Sequence, residues 1–99
     1  MEINRNSTSK FNLGKVVQTQ KISEARKEIR FNKEIECCLE RYCKADFNEM
    51  SQDDIEDNKL AIENGDDEIL GAYNTSFGRI YIITEHDGSC TTILFADEY

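Results

Sequence analysis

The C-terminal stretch from Arg79 to Tyr99 constrains the fold of this chain more than any other part of the sequence. Two runs rich in β-branched and aromatic residues, Arg79–Glu85 and Cys90–Phe95, flank the polar segment His86-Asp87-Gly88-Ser89. Such residues favour a pleated, half-buried surface. Asp87-Gly88 supplies the positive φ that a tight turn needs. The sequence therefore predicts a C-terminal β-hairpin.

The first half of the chain changes from a strand pattern to a helical one. Residues 11–19 predict a first strand, in which Gly14 indicates a bulge or a close approach of another backbone segment. From Ile22 to Lys44 the apolar residues recur with helical spacing, but in two phases. We predict two helices, over about 22–30 and 32–44, with a break near Phe31-Asn32. One long kinked helix is the alternative.

A third helix and another strand precede the hairpin. Ser51 is a good N-cap, and Asp53 and Asp54 suit the positive end of the helix dipole. The helix is predicted to run to about Glu63 and to stop at Asn64-Gly65. Residues 69–73 then predict a strand, since they combine Ile, Leu and Tyr with small residues.

The order of these elements, β-α-α-α-β-β-β, favours an α+β fold. We expect a single small domain over residues 11–99, preceded by a flexible polar tail over residues 1–10. Its sheet is predicted to be mostly antiparallel, with about four strands and two to three helices packed on one face. The alternation of apolar residues predicts six side chains buried beneath the helices: Leu13, Val16, Ile80, Ile82, Ile93 and Phe95.

Charge is unevenly divided along the chain. The net charge is −8. Residues 1–44 contain ten Lys/Arg against six Asp/Glu, whereas residues 45–99 contain two against fourteen. The acidic half disfavours direct nucleic-acid binding, because a phosphate backbone requires cations. It favours a protein partner with a basic surface.

The sequence lacks the patterns that would indicate a membrane span, a secretion signal or a zinc site. No apolar run approaches the roughly 18 residues that a membrane span requires, and the first ten residues carry no apolar signal segment. We therefore expect a cytoplasmic protein. The four cysteines and the single histidine, His86, do not have zinc-site spacing. We expect no metal and no cofactor, with Cys38 and Cys43 in the core and Cys37 a surface thiol.

The hairpin turn offers a set of residues that resembles a catalytic site. Glu85-His86-Asp87 lies beside Ser89, Cys90, Thr91 and Thr92, so a base and a nucleophile could meet across the hairpin. Consecutive residues on a strand point to opposite faces, however. The preferred interpretation is a polar turn stabilised by Asp87 as an Asx-turn, with cross-strand pairing among Thr84, Thr91 and Thr92. We expect no enzymatic activity.

The segment from Asp46 to Glu68 holds ten carboxylates and one lysine. One interpretation is a helix face that is merely solvated. The other is an interaction surface whose carboxylates substitute for phosphates in a basic channel. The candidate partner-binding residues are Asp53, Asp54, Glu56, Asp57, Glu63, Asp66, Asp67 and Glu68. Basic and acidic residues interleave over 22–44, which suits a protein partner or self-association better than naked DNA.

From Phe11 to Tyr99 the chain resembles a family of small bacterial proteins carried by plasmids, phages and other mobile elements. The similarity is strongest in the ending Ile80-x-Ile82-Ile83-Thr84-Glu85-x-Asp87-x-Ser89-x-Thr91-Thr92-x-Leu94-x-x-x-Glu98-Tyr99. Further matches are Leu13-Gly14-x-Val16-Val17-x-Thr19, Asp46, Asp54…Asn58…Gly65 and Leu70-x-Ala72-Tyr73. Phe47 stands where the family usually has tryptophan, and Ala96-Asp97 replaces a proline-containing turn.

The resemblance implies a fold and a mobile-element setting, and it carries over no catalytic residues. Mobile elements encode small acidic inhibitors of host nucleases. The expected function is therefore a non-enzymatic inhibitor of a host defence effector, of anti-CRISPR or anti-restriction type, which blocks the effector's nucleic-acid path or its assembly. The alternative is a small accessory or regulatory interaction module of a plasmid or phage. The sequence does not identify the effector, and it leaves homo-oligomerisation open.

Overall fold

The computed structural model describes residues 9–99. Its elements are β1 (Lys15–Gln18), α1 (Gln20–Ala25), α2 (Ile29–Cys43), α3 (Gln52–Asn64), β2 (Ile69–Thr75), β3 (Gly78–Thr84) and β4 (Cys90–Phe95), followed by a 3-10 turn at Ala96–Glu98. The predicted order of three helices and four strands is confirmed. The polar tail predicted for residues 1–10 lies, up to residue 8, outside the described residues.

The four strands form one sheet in the order β1-β4-β3-β2. The consecutive strands β2, β3 and β4 are antiparallel neighbours, with Ile82 opposite both Gly71 and Ile93. The first strand joins the far edge and runs parallel to β4, with Val16 opposite Thr91. The sheet is therefore mixed, with two antiparallel pairings and one parallel pairing.

The first strand begins later than the sequence predicted, because residues 11–14 contact the hairpin turn and are not part of the sheet. Gly14 has φ +62°, and a Cβ there would lie 2.4 Å from the backbone of Ser89. The backbone N–H of Lys15 then donates to the Ser89 carbonyl at 3.1 Å. Residues 11–14 thus cross the hairpin turn before β1 starts. The predicted close backbone approach at Gly14 is confirmed.

The predicted core is confirmed at four of its six positions: Leu13, Ile80, Ile82 and Ile93 are buried. Phe95 is only half-buried, although its ring stacks on Phe31 with centroids 5.8 Å apart. The prediction for Val16 is wrong, since 38% of its surface is exposed. The physical reason is that β1 is a four-residue edge strand, so only one neighbour covers its side chains.

The segment forms two helices, as predicted, and not one long kinked helix. The break between them lies at residues 26–28, however, and not at Phe31-Asn32 as predicted. Phe31 is completely buried inside α2. Arg26 holds the two helices together across the break: its Nη2 lies 2.6 Å from a Glu36 oxygen and its Nε donates to Asn32 at 2.6 Å. The apolar spacing did not reveal the position of the break, because the clamp is made by polar side chains six and ten residues apart.

All three helices pack on the same face of the sheet. They contribute Ile22 from α1, Ala61 from α3 and the aromatic and aliphatic side chains of α2, which meet the inward-facing Ile80, Ile82 and Ile93. Phe47, in the loop after α2, is 2% exposed and anchors that loop, as predicted. Among residues 9–99, no helix combines the length and hydrophobicity of a membrane span.

A buried chain of hydroxyl groups crosses this core. Tyr42 Oη lies 2.6 Å from Thr84 Oγ1, which lies 2.8 Å from Thr91 Oγ1. Thr91 donates to the Leu13 carbonyl at 2.7 Å, and Tyr42 is also 3.0 Å from the Ile69 carbonyl. The chain joins α2, β2, β3, β4 and the segment before β1. It confirms the predicted pairing of Thr84 with Thr91; the side chain of Thr92 forms no such bond in the described part of the chain.

One asparagine attaches α3 to the sheet. The Asn58 side chain donates to the Leu70 carbonyl at 2.8 Å and accepts from the Leu70 N–H at 3.2 Å. It therefore pairs with the open edge of β2 as a neighbouring strand would. This contact fixes which side of α3 faces the protein and which side faces solvent.

Replacing Gly14 by alanine should destabilise the protein by about 2–5 kcal/mol, because left-handed strain and the clash with Ser89 add together. Gly65→Ala is the matched control. Gly65 also has positive φ (+72°), but nothing lies within 4 Å of the added methyl group, so about 1–2 kcal/mol is expected. Urea denaturation measures both, and equal losses would contradict the close approach.

Adjacent threonines test the hydroxyl chain. Thr91→Val leaves the Leu13 carbonyl without its donor and should cost about 1–3 kcal/mol. Thr92→Val changes the same atoms at a half-buried position without a side-chain bond, and should change stability by less than about 0.5 kcal/mol. If thermal and urea denaturation showed no difference between the two variants, the chain would contribute nothing to stability.

Candidate functional site

The eight candidate residues form one continuous stretch of the surface, which we call the acidic surface: Asp53, Asp54, Glu56, Asp57, Glu63, Asp66, Asp67 and Glu68. Five lie on α3 and three in the link from α3 to β2. All eight are exposed. The helix starts and stops as predicted: Ser51 accepts from the Asp54 N–H at 3.2 Å, and Gly65 closes the helix in the left-handed conformation.

The orientation of α3 explains why its carboxylates face solvent. Asn58 and Ala61 are buried against the sheet, and Ile55 and Ile62 flank them. The opposite side of the helix carries four carboxylates, Asp53, Glu56, Asp57 and Glu63. Between them lies one apolar side chain, Leu60, which is 54% exposed. An apolar centre with a charged surround is the pattern of a protein–protein contact.

The structure separates two of the ten carboxylates in 46–68 from the other eight. Asp46 and Glu49 both bind Arg41, at 2.9 Å for the Nε–Oδ2 pair of Asp46 and through Nη1 for Glu49. The Arg41 guanidinium also lies 5.0 Å from the centre of the Tyr73 ring. Tyr73 in turn donates to the Asp46 carbonyl at 2.9 Å. These two carboxylates therefore attach the loop after α2 to the core.

Arg41, Asp46, Glu49 and Tyr73 form a group that we call the Arg41 cluster, and their contacts shift the pKa values of its members. The hydrogen bond from Arg41 lowers the pKa of Asp46. Burial opposes ionisation of Glu49, but hydrogen bonds from the Asn74 N–H and from Arg41 outweigh it, so the pKa of Glu49 is also lowered. Burial raises the pKa of Tyr73. The cluster is built from ionised carboxylates and serves the fold.

The carboxylates of the acidic surface have almost no structural partners. Within residues 9–99, only Glu56 has a cation nearby, with Lys59 Nζ at 3.9 Å. Gln52 also donates to Glu56, at 3.3 Å. The remaining seven side chains form no ion pair or hydrogen bond with the described part of the chain. Their charge is accordingly available to a partner.

The hairpin turn adopts the polar conformation that was predicted. Asp87 Oδ1 accepts from the Ser89 N–H at 3.0 Å, which is an Asx-turn. Hydrogen bonding to the Ser89 side chain, and then to its backbone N–H, lowers the pKa of Asp87. Glu85 and His86 are exposed, whereas Thr91 is buried and bonded to Leu13. The structure therefore does not bring His86 into contact with a threonine nucleophile.

Sequence reasoning missed a cleft between the hairpin turn and the end of α3. It has a volume of about 330 Å³. Phe11, Ile62 and Ile69 lie along it, together with Asp67 and residues 84–88 of the hairpin. No sequence signal marks it, because its walls come from three separate parts of the chain. Asp67 is the one predicted site residue that it includes.

The cysteines take the predicted positions. Cys38 and Cys43 are buried and Cys37 is exposed, and none of the four cysteines forms a disulfide bond within the described residues. Burial raises the pKa of Cys38 to about 11, which leaves this thiol unreactive. In the region that the structure covers, no group of three or more Cys, His, Asp or Glu side chains could hold a metal ion.

Comparison with known proteins adds no relative: no protein-family model, curated protein or solved structure matches this chain. The mobile-element resemblance therefore stays a prediction from the sequence. Function has to be inferred from the surface itself.

Lowered carboxyl pKa values make stability depend on pH in a defined direction. Asp46 and Glu49 contribute stability that is complete above their ordinary pKa values of 3.8 and 4.5 and is lost as pH falls through their lower folded values. Asp46→Asn with Glu49→Gln should reduce the fall in denaturation midpoint between pH 6 and pH 3. Asp57→Asn with Asp67→Asn, at exposed positions away from the N-terminus of α3, should leave that slope nearly unchanged. Equal slopes in both double variants would contradict the role given to the Arg41 cluster.

Proposed function

We propose that this protein is a non-enzymatic inhibitor that binds a basic nucleic-acid-binding surface of another protein through its acidic surface. The observation that supports it is that the carboxylates fall into two groups, those bonded to the fold and those without a partner in the described residues. Asp46 and Glu49 hold the fold, while seven of the eight acidic-surface side chains have no partner in the described residues. Like charges at i,i+3 and i,i+4 destabilise a helix unless something compensates. A bound basic partner would supply that compensation.

The charge spacing along α3 suits phosphate mimicry. Asp53 to Glu63 spans about 15 Å of helix axis at about 1.5 Å per residue. The exposed side carries Asp53, Glu56, Asp57 and Glu63, at a mean spacing of about 5 Å along the helix axis. One strand of DNA carries one phosphate per about 3.4 Å. A site built for a nucleic-acid strand would therefore meet a similar density of negative charge.

The target class follows from the mobile-element resemblance. Under this proposal the partner is a host defence effector of CRISPR or restriction type, met in the bacterial cytoplasm, and inhibition consists of occupying its nucleic-acid path or preventing its assembly. No catalytic step, metal or cofactor enters this mechanism. The proposal requires that nucleic acid and the inhibitor compete for the effector.

The alternative is an accessory module that pairs with itself or with another protein of the element. One observation favours it: the solvent side at the start of α2 carries Arg30 and Lys33 near Ile29, which is 73% exposed. This side is complementary in charge to the acidic surface of a second copy. Sedimentation velocity at low and high salt separates the two candidates, because only the alternative predicts a salt-sensitive dimer of the protein alone.

Charge reversal tests the inhibitor proposal. Asp57→Lys with Glu63→Lys changes the middle and end of α3 and avoids Asp53 and Asp54, which also stabilise its N-terminus. Binding to an effector captured from a host with CRISPR and restriction systems should weaken at least about tenfold, the equivalent of about 1.4 kcal/mol. Wild-type binding should also weaken with salt, as the Debye length falls from about 10 Å at 0.1 M to about 3 Å at 1 M.

Glu40→Lys with Asp97→Lys is the matched control, because it changes the net charge equally at exposed positions outside the acidic surface. This control variant should bind the effector with an affinity within about twofold of the wild-type affinity. An excess of duplex DNA should displace both the control variant and the wild-type protein from the effector. Phosphate mimicry would be excluded if the effector bound the α3 variant as tightly as the wild-type protein. It would also be excluded if DNA failed to displace the wild-type protein from the effector.

A further inference from the structure

The cleft beside the hairpin turn combines an apolar floor with an acidic rim. Its floor includes Phe11, Ile62 and Ile69. Phe11 is half-buried and packs edge-to-face on Tyr42 with centroids 5.1 Å apart, so its position is fixed by the core. Ile69 is 5% exposed and belongs to the same core. The floor is therefore a rigid apolar surface continuous with the protein interior.

The rim carries three carboxylates from two parts of the chain. Asp67 comes from the link after α3, and Glu85 and Asp87 come from the hairpin turn. All three are exposed and none forms an ion pair within residues 9–99. Lys10 is the one lysine or arginine among the described residues of the cleft. A concave site with mainly one sign of charge concentrates its electric field and attracts counter-charged groups.

The acidic rim is held in place by hydrogen bonds of the turn. The Gly88 N–H donates to the Glu85 carbonyl at 2.8 Å, and the Glu85 N–H donates to the Cys90 carbonyl at 2.9 Å. Behind the turn, Gly14 lies in close contact with the Ser89 backbone. The rim carboxylates therefore project from a fixed backbone, and a ligand would not have to order it.

We propose that this cleft receives an arginine side chain of the basic protein partner. The aliphatic stem would lie on the floor formed by Phe11 and Ile62, and the guanidinium would reach Asp67 and Glu85 at the rim. Long cationic side chains bury their methylene groups on apolar surface and keep the charge at the edge. A planar guanidinium also matches carboxylates through paired hydrogen bonds.

This inference rests on the proposed function, because it names the residue type by which the basic partner is anchored. It extends the contact beyond α3, since Glu85 and Asp87 lie outside the acidic surface. An anchor residue in a cleft, surrounded by charges at the periphery, is how binding energy is commonly concentrated at protein interfaces. A phosphate group, by contrast, would be repelled by three carboxylates facing one lysine.

Two peptides of nearly the same shape test the cleft; one carries the cationic guanidinium, and the other carries a neutral ureido group with a carbonyl in place of one guanidinium nitrogen. The first is acetyl-Gly-Arg-Gly-amide and the second is acetyl-Gly-citrulline-Gly-amide. Titration into isotopically labelled protein should shift the amide signals of Ile62, Gly65, Thr84 and His86 with the arginine peptide, and at least about fivefold less with the citrulline peptide. Equal shifts with both peptides, or shifts spread evenly along α3, would overturn the proposal.

Two double variants locate the charge that matters. Asp67→Asn with Glu85→Gln removes two charges from the rim and should abolish saturable shifts by the arginine peptide. Asp53→Asn with Glu56→Gln removes two charges from α3 and should leave the titration within about twofold of wild type. Retained Thr84 and Thr91 amide signals in the rim variant would show that its hairpin is intact. If the rim variant still bound the arginine peptide as wild type does, the inference would fail.

The outcomes separate this inference from the proposed function. Loss of effector binding in Asp57→Lys with Glu63→Lys, together with an unaltered titration in the rim variant, would support the inhibitor and exclude the arginine cleft. The opposite result would be a cleft that binds the arginine peptide selectively, in a protein whose effector binding is unchanged by charge reversal on α3. That result would support the arginine cleft and exclude phosphate mimicry. Lysine in place of arginine in the peptide tests whether the guanidinium fork or charge alone is recognised.

Discussion

The buried hydroxyl chain from Tyr42 to the Leu13 carbonyl is the interaction on which the geometry of this fold depends. Each hydroxyl has one hydrogen to donate. Thr91 gives its hydrogen to the Leu13 carbonyl and Tyr42 gives its hydrogen to the Ile69 carbonyl, so the single hydrogen of Thr84 serves the contacts with Tyr42 and Thr91. Buried polar groups are costly unless they are bonded. The chain therefore favours the one arrangement in which α2, β3, β4 and the segment before β1 meet in register.

The same arrangement creates the cleft beside the hairpin turn. Because Leu13 is tied to Thr91, residues 12–14 must cross the hairpin turn, and glycine at position 14 makes the crossing sterically possible. The crossing places Phe11 against Tyr42 and next to the end of α3. The cleft and its acidic rim are a consequence of this crossing.

Burial and hydrogen bonding explain which carboxylates are available to a partner. Arg41 neutralises Asp46 and Glu49 where the chain leaves α2, close to buried Tyr73. On α3 the neutral Asn58 makes the contact with β2, so none of the helix's carboxylates is needed for packing. The protein thereby holds a highly charged helix in place through one amide side chain and the apolar side chains of Ile55, Ala61 and Ile62. That is the physical basis for treating the acidic surface as an interaction surface.

The sequence by itself determined the local features of this protein. The hairpin, the Ser51 cap, the Gly65 stop and the exposure of α3's carboxylates all follow from residues within a few positions of one another. Tertiary structure decided what depends on distant contacts. The edge position of β1 exposed Val16, and the helix break lies at residues 26–28, next to the Arg26 clamp. Arg41 removed Asp46 and Glu49 from the acidic segment, and the crossing at Gly14 created the cleft, since none of these contacts leaves a periodic signal in the sequence.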